Sequence, residues 1–476
     1  MNLSEYARYD AVGLADLIDR KEVTAAEVQD AACRAIGEVN PRLNAVVGDL
    51  FAEPLACDNS GRFRGVPFAI KDLVVHAAGV PTEMGSRLAR GLVFPHDSHL
   101  MARYRKAGLA TMCRTTTPEF GFNATTEAVV YGGPTRNPWN LERSPGGSSG
   151  GSAALVSARA LPIAHANDGG GSIRIPAAAC GLVGLKPTRG RTPVGPDYGD
   201  PLFGLGIEFG VARTVRDVAA LLDCVEGPEP GDRFAIARPT RPYAEEVGAE
   251  PGRLRVALAT APWSGVPVDP ACADATRATA RLLEQLGHQV TEARPEINAD
   301  HLDTLNLRLW CTFLAQGAYG LGAMLGREVS ADTLEATVLR CAELGRSFTI
   351  FDLAEADAYA NELTRACGGF FTQYDLLVTP TAAQPPLPLG WLDANDPSLD
   401  ADGWLRKVFA YAAFTALFNV SGQPAISLPL GSTPDGLPVG VQLVARYGEE
   451  DLLLRVAAQL ETAQPWISRI PPVRVG

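Results

Sequence analysis

Two glycine- and serine-rich loops, Gly146-Gly147-Ser148-Ser149-Gly150-Gly151-Ser152 and Asp168-Gly169-Gly170-Gly171-Ser172, and Lys71 at the end of an apolar run are the parts of this sequence best suited to covalent chemistry. A serine hydroxyl attacks a carbonyl effectively only when a base takes its proton and the resulting oxyanion is stabilised. Successive glycines before Ser172 can turn backbone N–H groups toward one point, because glycine tolerates positive φ. A lysine becomes such a base only when its pKa falls, and burial favours the neutral amine. A second serine between lysine and nucleophile can also return the proton to a leaving amine. On composition alone the loops serve equally well as plain turns. A phosphate cradle is disfavoured, because the terminal Gly-Lys-Ser/Thr of that motif is absent.

The elements around these loops must bring them together. Val66–Ile70 is a short apolar run that predicts a buried strand ending on Lys71-Asp72. Between the two loops, Ser152–Arg159 predicts a helix and Leu161–Ala166 a strand. A helix of about nine residues advances roughly 14 Å. A strand of about five residues returns roughly 17 Å. The chain therefore goes out and comes back, so Ser148 and Ser172 can share one edge with Lys71, where α/β folds place their sites.

The rest of the chain alternates in the same way. Helical periodicity covers 11–38 with Thr24 as a cap, then 97–108, 271–286, most of 303–370 and 449–462. Strands are predicted at 109–113, 254–259, 289–291 and 376–379. ISLPLG and LPVGVQLVA form a hairpin about a Pro-Asp-Gly turn. Residues 226–252, rich in Pro, Gly and charge, read as a surface connection. The fold class is therefore α/β, one large unit around a mostly parallel or mixed sheet, with no interdomain linker.

A formal net charge of −12 with no basic run excludes nucleic acid and anionic membrane as main partners. No stretch is long and apolar enough for a membrane span, and the first residues lack the pattern of a signal peptide. Nine cysteines without a CxxC read as reduced thiols of a cytoplasmic enzyme.

Three blocks, GVPFAIKD around Lys71, TRNPWNLERSPGGSSGGSAALV and NDGGGSIRIPAAACGLVGLKPTRGR, resemble the amidase signature family, as do YDLLVTPT and FNVSGQPAISLP further on. The two serines also stand 24 residues apart, as in that family. The resemblance implies a single α/β/α domain over 1–476, with a large mixed sheet flanked by helices. Its catalytic core would span about 60–225 and 372–465, and a helical substrate-pocket region about 300–370. It implies an amide hydrolase acting through an acyl-enzyme, with Lys71 as base, Ser148 as relay in a cis peptide and Ser172 as nucleophile. Gly169, Gly170, Gly171 and Ser172 would supply oxyanion donors, although the family usually carries Thr or a similar residue where Gly169 stands. Phe122, Asn123, Ala124 and Cys311 would bind substrate, although Cys311 reads more readily as a buried core cysteine. Neither cofactor nor metal is implied. The expected substrates are small aliphatic or oligomeric amides, the cyclic dimer of 6-aminohexanoate among them, and a homodimer is compatible with the resemblance. Alternatives are a carbamate or aryl-acylamide hydrolase with the same group, and a glutamine amidotransferase subunit. A non-catalytic scaffold is disfavoured because all three reactive residues are present.

Other candidates have simpler readings. His96 and His99 stand at i, i+3, but no third ligand lies near them in sequence, so they read as solvated. His165 reads as a packed strand residue rather than a triad histidine. Ser149 competes with Ser148 for the relay. Arg174 and Asp168 are expected to pair and order the nucleophile loop.

Overall fold

A computed structural model describes residues 1–476. Ten strands appear in chain order: β1 Pro67–Lys71, β2 Ala110–Thr115, β3 Ile163–Asp168, β4 Val183–Lys186, β5 Ile207–Ala212, β6 Arg255–Leu258, β7 Gln289–Glu292, β8 Leu376–Pro380, β9 Ala425–Ser432 and β10 Pro438–Ala445. Eight form one mixed sheet in the order β3-β5-β4-β9-β10-β8-β6-β7. Its pairs are antiparallel from β3 to β8, and β8-β6-β7 run parallel. The strands at its centre are buried on both faces, which is why they read as apolar runs rather than alternating ones.

β1 is not a rung of that sheet. It pairs in parallel with β2 and meets β3 through a side chain, the Lys71 N–H donating to His165 Nδ1 at 3.1 Å. The predicted convergence of Lys71 with the serine loops is thus made by two sheets rather than one.

The helices between strands form where the sequence places caps. Thr24 and Glu27 build a reciprocal capping box at the start of Ala25–Leu43. Gly150–Ser157 has every residue buried and carries the chain out from the first loop. β3 returns it, so that Ser149 Oγ meets the Asn167 carbonyl at 3.2 Å. The 226–252 connection carries only one short turn, Tyr243–Glu245.

The segment predicted as mostly helical resolves into Ala299–Leu325, Ala336–Ser347 and Ile350–Phe370. These helices pack on each other and on Ala401–Tyr411 around an apolar core of their own. The first two approach backbone to backbone: a Cβ at Gly345 would stand 2.0 Å from the Cys311 carbonyl oxygen. A separate apolar core lies between the main sheet and the helices of the N- and C-terminal segments. No helix is long and apolar enough to cross a membrane.

Candidate active site

Lys71 is fully buried, and its amine lies among three polar side chains. Nζ is 2.5 Å from Asn167 Oδ1, 2.6 Å from Ser148 Oγ and 3.1 Å from Ser149 Oγ. Burial holds its pKa down to about 7, against the pull of the more distant Glu208 and Asp168 carboxylates. A neutral amine has two N–H groups and one lone pair. The Asn167 and Ser149 oxygens take the N–H groups, which leaves the lone pair for the Ser148 hydroxyl.

Neighbouring groups fix this assignment. Asn167 Nδ2 donates to the Leu73 carbonyl at 3.1 Å, so its oxygen faces the lysine. Ser149 donates its own hydroxyl to the Asn167 carbonyl, which takes its proton out of any relay. His165, wholly buried, accepts from the Lys71 backbone and shares Nε2 with Glu208 at 2.9 Å. It is a packed strand residue behind the lysine and lines neither cleft beside Ser172. Asn167 and Glu208 were not among the site residues predicted from sequence. Polar residues inside an otherwise apolar strand, such as Asn167 in IAHAND, were the available signal.

The peptide bond before Ser148 is cis. Ser148 and Ser172 line one cleft together. The loop carrying Ser172 hangs on a buried ion pair. Asp168 accepts from Arg174 Nε at 2.9 Å and Nη2 at 2.8 Å, and from Asn419 Nδ2 at 2.9 Å. Burial alone would raise the Asp168 pKa, but the Arg174 guanidinium and these hydrogen bonds hold it well below the usual carboxylate range. The same carboxylate accepts from the Gly171 and Ile173 N–H groups at 2.7 and 3.1 Å.

This changes the expected set of oxyanion donors. The Gly171 N–H is spent on Asp168, whereas those of Gly169, Gly170 and Ser172 have no acceptor within the chain. The glycines are also there for different reasons than flexibility alone. Only Gly171 takes a positive φ, +138°, and a Cβ there would meet Thr415 Oγ1 at 2.5 Å. At Gly169 and Gly170 a side chain would instead crowd Leu202, Trp310 and Phe409.

Two adjoining clefts meet at Gly121, Ser172 and Trp310. Phe122, Asn123 and Ala124 line the first, with Val408, Phe409 and Ala412. Leu73, Leu202 and Phe313 line the second. A third cleft of about 210 Å³ shares Phe409 and Ala412 with the first and is lined further by Trp263, Leu302 and Arg406. Cys311, expected in the pocket, lines none of these. It is fully buried where its helix meets Ala336–Ser347. Its neighbour Trp310 takes the cleft position and packs on Phe122, with ring centroids 5.2 Å apart.

The chain belongs to the amidase family, whose model matches residues 27–454, and it is an amide hydrolase of the amidase signature fold. Among individual proteins, it is 41% identical over 478 residues to the 6-aminohexanoate-cyclic-dimer hydrolase of Paenarthrobacter ureafaciens, covering 97% of this chain and 96% of that one. The enzyme of the same name from Pseudomonas sp. (strain NK87) is 42% identical over 482 residues, with the same two coverages. The solved structure of a 6-aminohexanoate cyclic dimer hydrolase complexed with substrate superposes with a TM-score of 0.91 at 39% identity, covering 98% of this chain and 99% of that one.

Proposed function

We propose that Ser172 is the acyl-forming nucleophile, Ser148 the relay and Lys71 the base, acting on aliphatic amides with the cyclic dimer of 6-aminohexanoate as the reference substrate. The observation that carries this reading is the Lys71 amine, buried, depressed to about 7 and 2.6 Å from Ser148 Oγ with no carboxylate in contact.

In this mechanism Ser172 Oγ attacks the amide carbonyl while its proton passes to Ser148 and the Ser148 proton to Lys71. The Gly169, Gly170 and Ser172 N–H groups receive the oxyanion. Ser148 then protonates the leaving nitrogen and regains a proton from Lys71, and the C–N bond breaks to leave an acyl-Ser172 ester. Water, deprotonated through the same relay, attacks the ester and frees the acid. Asp168 and Arg174 take no part in proton transfer; they hold the loop.

The apolar lining suits an aliphatic chain. The adjoining third cleft gives a longer acyl or amine portion somewhere to extend. The relatives' substrate supports a cyclic or oligomeric amide over a carbamate, an anilide or glutamine. We assign substrate selection to the helices within 300–370 and chemistry to the strand-borne parts of 60–225. Nine free thiols support residence in the cytoplasm.

Ser172→Ala should lower turnover of the cyclic dimer by about 10⁴-fold or more with an unchanged circular dichroism spectrum. A fluorophosphonate probe, located by peptide mass spectrometry, should label Ser172 in the unmodified protein. Retained turnover, or labelling elsewhere, overturns the assignment. A panel of cyclic dimer, linear oligomers, anilides, carbamates and glutamine tests the substrate, and faster hydrolysis of any of the last three replaces it.

A further inference from the structure

His76, His96 and Asp197 come together although the sequence separates them widely. His76 lies just beyond β1, and Asp197 follows the Gly195–Pro196 bond. Asp197 Oδ2 is 3.1 Å from His76 Nε2 and 3.0 Å from His96 Nε2, and the three donor atoms all lie within 4.8 Å of one another. His99, the partner suggested by sequence spacing, is not part of the cluster. The missing third ligand is supplied by the fold.

The state of His76 gives the cluster its meaning. Its Nδ1 is 2.9 Å from the Val74 carbonyl, which can only accept, so Nδ1 carries hydrogen. In the neutral ring Nε2 then presents a lone pair. That nitrogen is buried and makes no hydrogen bond, even with a carboxylate oxygen 3.1 Å away. Asp197 in turn receives no Lys, Arg or backbone N–H; its partners are the two imidazoles. Two electron-rich atoms thus face each other with nothing positive between them.

A cation resolves this. In a tetrahedral site with bonds of about 2.0–2.1 Å, ligand atoms stand roughly 3.3 Å apart with no hydrogen bond between them. That is the relation of His76 Nε2 to Asp197. A backbone carbonyl on the far nitrogen is also the usual support for a metal-binding histidine. The ring is held further by Phe94, stacked at 3.9 Å. His96 and Asp197 are partly exposed, which gives an ion a way in and water a place as fourth ligand.

We propose that His76 Nε2, His96 Nε2 and Asp197 bind one zinc ion, or another first-row divalent cation, in a structural site separate from the amidase centre. Two imidazoles disfavour magnesium and calcium, which take oxygen ligands. None of the three residues lines the clefts at Ser172, but Val74 on one side and Pro201 and Leu202 on the other do. The ion would therefore clamp together two segments that form one wall of the cavity.

The test uses the untagged full-length protein, stripped with chelator and dialysed. Titration with zinc by calorimetry should give one ion per chain. Cobalt(II) should give the visible absorption bands of a low-coordinate site, and magnesium should not compete. His96→Ala and Asp197→Asn should each weaken zinc binding at least tenfold, and the double variant should abolish it. Both side chains are solvent-accessible, and melting curves of the metal-free variants check that they fold. Zinc should raise the melting midpoint of the unmodified protein by a few degrees and leave the double variant unchanged. No saturable binding, or equal binding by the double variant, overturns the proposal.

Discussion

Lys71 at the end of β1, Ser148 just before the helix Gly150–Ser157 and Ser172 just after β3 are fixed by hydrogen bonds, whereas Trp310 and Phe313 are held across the cavity from them by helix packing. The lysine amine has three polar neighbours, and Asp168 accepts from the backbone N–H groups of Gly171, Ile173 and Arg174 and from the side chains of Arg174 and Asn419. On the opposite wall the Trp310 indole N–H has no hydrogen-bond partner at all. Directional bonds accept few substitutes, so the first region demands particular residues at particular spacings. Dispersion contacts accept any side chain of fitting shape, so the second demands only volume.

The sharpest break in that comparison comes from the strand side. Lys71→Ala removes the proposed base and should cost about 10³-fold or more in kcat, with KM changing little. An equal loss confined to KM would mean that the lysine holds substrate instead. On the helical side, Trp310→Ala should act the other way. It should raise KM for the cyclic dimer about tenfold, as expected for losing one large apolar contact, while kcat falls less. A kcat-dominated loss would move Trp310 into the catalytic machinery.

Two smaller effects sharpen the role of the lysine. The proposed mechanism needs the neutral amine, which is the majority form only above its pKa of about 7. Hence kcat/KM should fall about tenfold per pH unit below that value, and should be flat just above it. Glu208 stabilises the ammonium form. Glu208→Gln, which can still accept from His165, should therefore shift this acid limb to lower pH. A pH–rate profile that stays in place would separate Glu208 from the base.

The same contrast decided what the sequence could tell. The helix and strand between the two Gly/Ser loops predict the return path that brings Ser149 back to Asn167, because that geometry follows from element lengths. The apolar run ending on Lys71 predicts a strand at the rim of the main sheet, but β1 pairs with β2, and no local pattern records which strands become neighbours. Gly171 was expected to face the oxyanion, yet its N–H serves Asp168. That exchange depends on the curl of a loop rather than on its composition. Cys311 stands among the expected pocket residues, whereas its neighbour Trp310 takes the cleft position. Adjacent residues on a helix point about 100° apart, and Ala299–Leu325 buries residues around much of its circumference. Apolar periodicity there does not say which face looks into the cavity.

The contact between Gly345 and the Cys311 carbonyl constrains how this enzyme could diversify. Those two helices are already as close as backbones allow, and any side chain at Gly345 would have to drive them apart. Lineages or laboratory libraries that reshape the pocket are thus channelled away from that seam. They are directed toward Leu202, Phe313 and Phe409, where a change of side chain alters the cavity without moving a helix.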